Sequence, residues 1–257
     1  RRKAKFIIPT VDFLYFILYN YVRFNYFSEI WDFMDLNKEY FISFLRGKGK
    51  KAVIFEPFVS RTHTETLIWR RGDELWDTPE HYIDTLVSLS ERTLSDMIFA
   101  DMRLFDFGEK KRLLEYISHK DFSPRGFGII TDSSDDIAFA EESGADVIAA
   151  YGDIKSKALP TIRMDGDIEN AILLGYDGWY APDSAKEYLT KYGDKIRVLG
   201  GLGVKWVEGS SPMEIYTEVG EIHKQYGSSW ACGSGGEISA EKYLELISLL
   251  GAFGRIR

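Results

Sequence analysis

The 257-residue chain has a single cysteine, Cys232, four histidines and seven prolines. One cysteine excludes an internal disulfide framework and any zinc module built from several thiolates, and it fits a reducing, cytoplasmic compartment. Basic side chains are also in deficit, 32 against 40 acidic ones, for a formal net charge of −8. Non-specific binding to nucleic acid or to an anionic membrane therefore lacks its electrostatic driving force. Long apolar runs are scarce. The nearest to one, Phe6 to Phe27, is interrupted by Asp12, Asn20, Arg23 and Asn25, and a charge at the centre of a membrane span costs about 2.5 to 3.5 kcal/mol. No small-residue cleavage site follows it. The expectation is an amphipathic, aromatic-rich segment packed on the domain or on a second copy of the chain, which makes a homodimer an expected form. The opening Arg1-Arg2-Lys3 without Met is what a fragment or a processed chain would show.

What the chain does have is a globular composition, 45% apolar and 28% charged, enough to bury a full core. From residue 51 onward, short apolar runs recur at Ala52 to Phe55, Met97 to Ala100, Phe127 to Ile130, Val147 to Ala150, Pro160 to Met164, Tyr176 to Tyr180, Ile196 to Leu199 and Ser229 to Cys232. Helix-patterned stretches alternate with them, including Pro79 to Leu94, Glu109 to Ser118, Asp135 to Glu142, Ser184 to Tyr192, Pro212 to Gln225 and Ala240 to Leu250. Eight strand-and-helix units predict an α/β fold, a single closed (βα)8 TIM barrel over residues 51–257 with a helical N-terminal extension over residues 1–50. An open doubly wound sheet is the alternative. Arg46-Gly-Lys-Gly-Lys-Lys51 marks the expected boundary.

A barrel of this kind places its chemistry at the C-terminal strand ends. These are Glu56, Asp101 with Arg103, Thr131 with Asp132, Tyr151 with Asp153, Arg163 with Asp165, Tyr180 with Asp183, Gly200 with Gly201, and Cys232 with Ser234. No lysine ends a strand, which disfavours Schiff-base chemistry. The two glycine-rich ends, Gly200 to Gly203 and Gly233 to Gly236, suit either a phosphate held by backbone N–H groups or merely tight turns. Asp101 reads as a carboxylate at the mouth or as a helix N-cap. Arg61 and His63, two apart after the first strand, suit a shared anionic ligand or the surface. Arg163 suits a ligand or an ion pair with Asp165 or Asp167, and Glu56 suits direct chemistry or a hold on Arg61. His81, His119 and His223 fall on expected outer helices.

Several stretches resemble one family. Phe44-Leu-Arg-Gly47, Val53-Ile-Phe-Glu-Pro-Phe58, Ser60-Arg-Thr-His-Thr-Glu65 and Phe99-Ala-Asp-Met102 are similar to the first part of uroporphyrinogen decarboxylase-like proteins. Pro160-Thr-Ile-Arg-Met-Asp-Gly166, Tyr192 to Gly201, Gly209-Ser-Ser-Pro-Met-Glu214 and Gly233-Ser-Gly-Gly-Glu-Ile-Ser239 resemble its later strands, in the right order. The resemblance implies a TIM barrel in which Asp101 matches the catalytic Asp and Arg61 one of two substrate-holding arginines, Pro57 standing in the place of the other. Ser234 falls where the decarboxylases carry a histidine and where the corrinoid-dependent methyltransferases carry a distant cysteine. Arg163-Met-Asp165 stands where those methyltransferases hold zinc with His-x-Cys, so no zinc is expected at that position.

The function implied is that of a divergent enzyme acting on an anionic tetrapyrrole-related or methyl-donor ligand. Asp101 would be its catalytic group, and Arg61, His63, Glu56, Arg163, Asp165 and Ser234 would contact the substrate. One alternative is a methyltransferase working with a corrinoid partner protein, and another is a non-catalytic ligand-binding barrel. A phosphate-binding barrel enzyme rests on the glycine loops alone. Neither nucleic acid nor a membrane is an expected partner.

Overall fold

Runs such as Val147–Ala150 and Gly126–Thr131 are apolar or small at every position, so they bury both faces and form interior parallel strands. The computed structural model describes residues 37–48, 53–68, 77–93 and 96–246. Its strands are β1 (Val53–Ile54), β2 (Met97–Asp101), β3 (Gly126–Thr131), β4 (Val147–Ala150), β5 (Thr161–Arg163), β6 (Gly178–Ala181), β7 (Arg197–Gly201) and β8 (Trp230–Gly233). Its helices are α1 (Lys38–Leu45), α2 (Arg61–Ile68), α3 (Pro79–Thr93), α4 (Phe107–Ser118), α5 (Ser134–Ser143), α6 (Ile168–Leu173), α7 (Ala185–Tyr192), α8 (Val204–Gly209) and α9 (Pro212–Tyr226). Residues 240–246 are helical as well. Helix starts follow local chemistry. Asp106 with Glu109 and Ser211 with Glu214 form reciprocal capping boxes, the second with Pro212 at the first helical position, a pairing that satisfies two orphan N–H groups at each end.

Every strand pairs in parallel, in the order β1-β8-β7-β6-β5-β4-β3-β2. This is the cyclic order of a (βα)8 barrel cut between β1 and β2. The expected closed barrel thus differs from the observed sheet at one seam, since β1 and β2 do not pair among the described residues. A two-residue β1 offers few backbone groups to reach β2, and phenylalanine rings fill the seam instead. Phe55 and Phe99 meet edge-on with centroids 5.2 Å apart, and Phe41 from α1 lies 5.9 Å from the first and 6.0 Å from the second. The sheet is therefore curled until its two edges face each other across one layer of rings.

Side-chain alternation sorts the apolar residues into three clusters. The lumen holds Phe41, Phe44, Leu45, Phe55, Met97, Phe99, Val147, Ile162, Tyr180 and Leu199 among others. One outer layer packs β2 to β4 under α3, α4 and α5, and another packs β6 to β8 under α6 to α9 and residues 240–246. Helix α1 closes the N-terminal end of the lumen. A Cβ on Gly126, at the start of β3, would come 2.8 Å from Lys38 Cβ, and one on Gly178, at the start of β6, 3.2 Å from Leu45 Cδ2. The chain divides into two compact units, Arg1–Asp35 and Leu36–Arg257, so α1 belongs with the sheet. The first unit, including Phe6 to Phe27, lies outside the described residues. Among the described residues no helix is long and apolar enough to cross a membrane.

Candidate functional site

Parallel pairing of β1 with β8 sets their C-terminal ends side by side at the mouth. There Glu56 receives a hydrogen bond from the Ser234 backbone N–H (2.7 Å) and meets Ser234 Oγ at 2.8 Å. Ser234 Oγ also lies 2.5 Å from the Gly236 carbonyl. A hydroxyl has one proton to donate, so Ser234 Oγ donates either to the Glu56 carboxylate or to the Gly236 carbonyl. Burial pushes the Glu56 carboxyl up to about 7, with the two Ser234 contacts opposing that rise. Behind it lies a water-sized cavity of about 30 Å³ lined by Phe55, Leu86, Ser90 and Phe99 among others. The Cys232 thiol beside it is buried and pushed well up, first by desolvation and then by the Glu56 charge.

Asp101 ends β2 and is held in a bidentate pair with Arg103, Nε at 2.9 Å and Nη2 at 2.7 Å, while also accepting from the Arg103 backbone N–H. Its own backbone N–H donates to the Tyr82 hydroxyl. The Arg103 guanidinium sits 4.0 Å above the Tyr151 ring. Such a pair fixes the cation in place and leaves the arginine face toward the ring and the mouth. Next to Tyr151, Tyr180 points inward from β6 against Phe55 (5.7 Å) and Phe58 (5.5 Å). Its hydroxyl is buried and has no hydrogen-bond partner, and burial pushes its pKa far above the usual phenol range.

The other residues expected at the site have separate positions. Arg163 is 6% exposed and is committed to Asp165 (Nε to Oδ1, 2.6 Å) and Asp153, while Asp165 also accepts from the Gly152 N–H. Asp167 does not join them and caps α6 instead. His63 lies on helix α2 rather than on a loop. Its Nδ1 accepts from the Ser60 N–H (3.0 Å), its Nε2 lies 2.6 Å from the Ile238 carbonyl, and its ring stacks on Tyr243 at 4.9 Å. Both ring nitrogens are engaged, which fixes an Nε2-H tautomer and leaves neither for a ligand. A His63→Ala variant is expected to lose about 2 to 4 kcal/mol of stability in urea denaturation, since two buried hydrogen bonds and a stacked ring go together. A loss below about 1 kcal/mol would show that His63 does not hold α2 to the segment before residue 240. Arg61 opens α2, and its side chain lies outside the described residues.

The glycine-rich ends serve close packing. The N–H groups of Leu202 and Gly203 donate to the carbonyls of Gly233 and Ser234, which removes those two donors from any phosphate. A Cβ on Gly233 would fall 2.1 Å from the Phe55 carbonyl oxygen, and one on Gly235 2.0 Å from that of Pro182. Missing side chains let four strand-end loops touch. Among the described residues no group of three or more His, Cys, Asp or Glu side chains is placed to hold a metal ion.

The sequence matches no protein-family model and no curated protein. Among solved structures, a methyltransferase from Methanosarcina mazei overlays with a TM-score of 0.63 at 13% identity, covering 84% of this chain and 98% of its own. The TIM-barrel-like fold is shared at that level. A 2-keto-3-deoxy-6-phosphogluconate aldolase of Zymomonas mobilis (TM-score 0.42, 14% identity, 66% of this chain and 87% of that one) and a 7,8-dihydropteroate synthase from Vibrio fischeri (0.41, 13%, 67% and 85%) overlay more loosely.

Of the residues expected at the site, Glu56 and Ser234 meet directly, Asp101 is paired with Arg103 at the end of β2, and Arg163 is paired with Asp165. Tyr180 was visible as a strand end, but its isolation from any partner was not. The one hint is the Gly178-Trp-Tyr180 alternation, which sends Trp179 to the outer layer and Tyr180 into the lumen.

Proposed function

We propose that this chain is a divergent enzyme of the uroporphyrinogen decarboxylase-like superfamily, performing acid–base chemistry on a small anionic ligand at the barrel mouth with Glu56 as the reacting group. The observation that carries this reading is the Glu56 carboxyl, raised to about 7 by burial and held on both oxygens by Ser234. A group with its pKa near the operating pH is populated in both protonation states, which is what proton transfer requires. Asp101, the catalytic group implied by the family resemblance, takes a supporting role in this reading. It fixes Arg103, which faces the anionic part of the ligand above Tyr151. The family resemblance makes Arg61 the second cation of this reading. The closed eight-stranded barrel, its seam completed through Phe55 and Phe99, belongs to the same proposal, as do a cytoplasmic location and a corrinoid protein as partner if the ligand is a methyl donor.

The test runs uroporphyrinogen and methylcobalamin with a thiol acceptor in parallel, following tetrapyrrole products by chromatography and cobalt demethylation by absorbance. One of the two should be consumed, and Glu56→Gln should slow that consumption by at least about a hundredfold. Consumption unchanged by Glu56→Gln rejects the assignment. Binding of either ligand without turnover supports the non-catalytic barrel instead.

A further inference from the structure

A buried hydroxyl without a partner costs free energy, so its persistence calls for a reason. Three unpartnered buried side-chain atoms occur among the described residues, Arg125 Nε, Glu245 Oε1 and Tyr180 Oη. The first two have ionic neighbours. Glu91 and Asp96 act on Arg125, and Lys242 lies 3.0 Å from the other oxygen of Glu245. Tyr180 differs. It is 6% exposed and belongs to the lumen cluster, against which the half-buried rings of Phe58 and Tyr151 pack.

We propose that Tyr180 is a ligand-binding residue whose hydroxyl donates a hydrogen bond to the carboxylate of a flat, unsaturated ligand seated between Phe58 and Tyr151, with Arg103 balancing the charge. This rests on the placement of the ligand at the same mouth as Glu56 and names the ligand class for it. The donor role follows from chemistry. A phenol whose ionisation is suppressed by burial keeps its proton and can only donate it or accept with its lone pairs. The two half-covered rings and the Phe55 edge offer ring faces in place of polar walls, which favours a planar ligand over a saturated one. Arg103 above the Tyr151 ring is already oriented by Asp101 and is 30% exposed at the side chain, so it can meet a second oxygen without a large ordering cost.

Benzoate serves as the probe, with benzamide to remove the charge and cyclohexanecarboxylate to remove the flat ring. Titration calorimetry on the full chain is expected to show benzoate binding at least about tenfold more tightly than either control, and Tyr180→Phe to weaken it about ten- to a hundredfold, the usual loss for a hydrogen bond to a charged group. The same variant should melt higher than wild type by about 2 to 6 °C, because an unsatisfied buried hydroxyl has gone. Unchanged benzoate affinity in Tyr180→Phe, no preference over the two controls, or a lower melting temperature would each overturn the inference. The first of these leaves the role of Glu56 standing, since that is judged by turnover. Turnover insensitive to Glu56→Gln alongside Tyr180-dependent benzoate binding would remove the acid–base role and keep the site.

Discussion

Replacing Glu56 by Gln is expected to remove a pH-dependent stability loss of up to about 3 kcal/mol, the equivalent of a rise from 4.5 to about 7. The folded state binds this proton more tightly than the unfolded chain does. Its contribution is therefore present in full below the ordinary carboxyl value and is lost as pH rises through about 7. Urea midpoints at about pH 5 and about pH 8, taken for wild type and Glu56→Gln together, isolate the effect because other carboxylates cancel in the difference. The variant should gain on wild type as pH rises, since glutamine keeps the Ser234 N–H bond and never ionises. Parallel pH curves for the two proteins would mean that Glu56 titrates normally, and the proposed acid–base role would go with it.

Gly235→Ala should be among the most damaging single changes at the mouth. Gly235 has φ +89°, and a Cβ there would sit 2.0 Å from the Pro182 carbonyl oxygen and 3.0 Å from that of Ala181. Left-handed strain of about 1 to 2 kcal/mol and overpacking of about 1 to 3 kcal/mol add because the obstructing atoms are backbone. A loss of about 3 kcal/mol corresponds to a melting temperature lower by about 6 to 12 °C in a domain of this size. Gly152→Ala is the matching control, with φ +73° and nothing within 4 Å of the added carbon, so it carries the backbone strain alone. Equal melting temperatures for the two variants would show that the β6 and β8 loops do not depend on their close approach.

What a sequence encodes legibly depends on the range of the interaction. Strands buried on both faces announce themselves, and β4 spans the expected Val147 to Ala150. Short or polar elements did not. Helix α2, Arg-Thr-His-Thr-Glu-Thr-Leu-Ile, is rich in threonine and reads as a loop, while α6 and α8 have six residues each and too few turns to show a period. At the site, Asp101 and Arg103 lie two residues apart at one expected strand end, but their ion pair is not among the sequence expectations. The Glu56 contact with Ser234 spans 178 positions and the His63 contact with Ile238 spans 175. Nothing local encodes such meetings, because they exist only once β1 has paired with β8. For the same reason His63 read as an anion ligand, whereas a carbonyl from the far end of the chain had already claimed its free nitrogen.

The seam beside β1 has a consequence for how the molecule is made. Among the described residues the one strand that β1 pairs with is β8, so a chain emerging from the ribosome holds β1 without that sheet partner until residues 230–233 arrive. Contacts of such long sequence separation form late, after the loop entropy between them has been overcome. Segments β2 to β7 pair with neighbours in sequence and can assemble as they appear, leaving Phe55, Phe41 and their apolar lumen uncovered in the meantime. Glu56 spends that interval in water as an ordinary carboxylic acid. Its unusual proton affinity is thus acquired in the last step of folding, and a chain shortened before Ser234 never gains it.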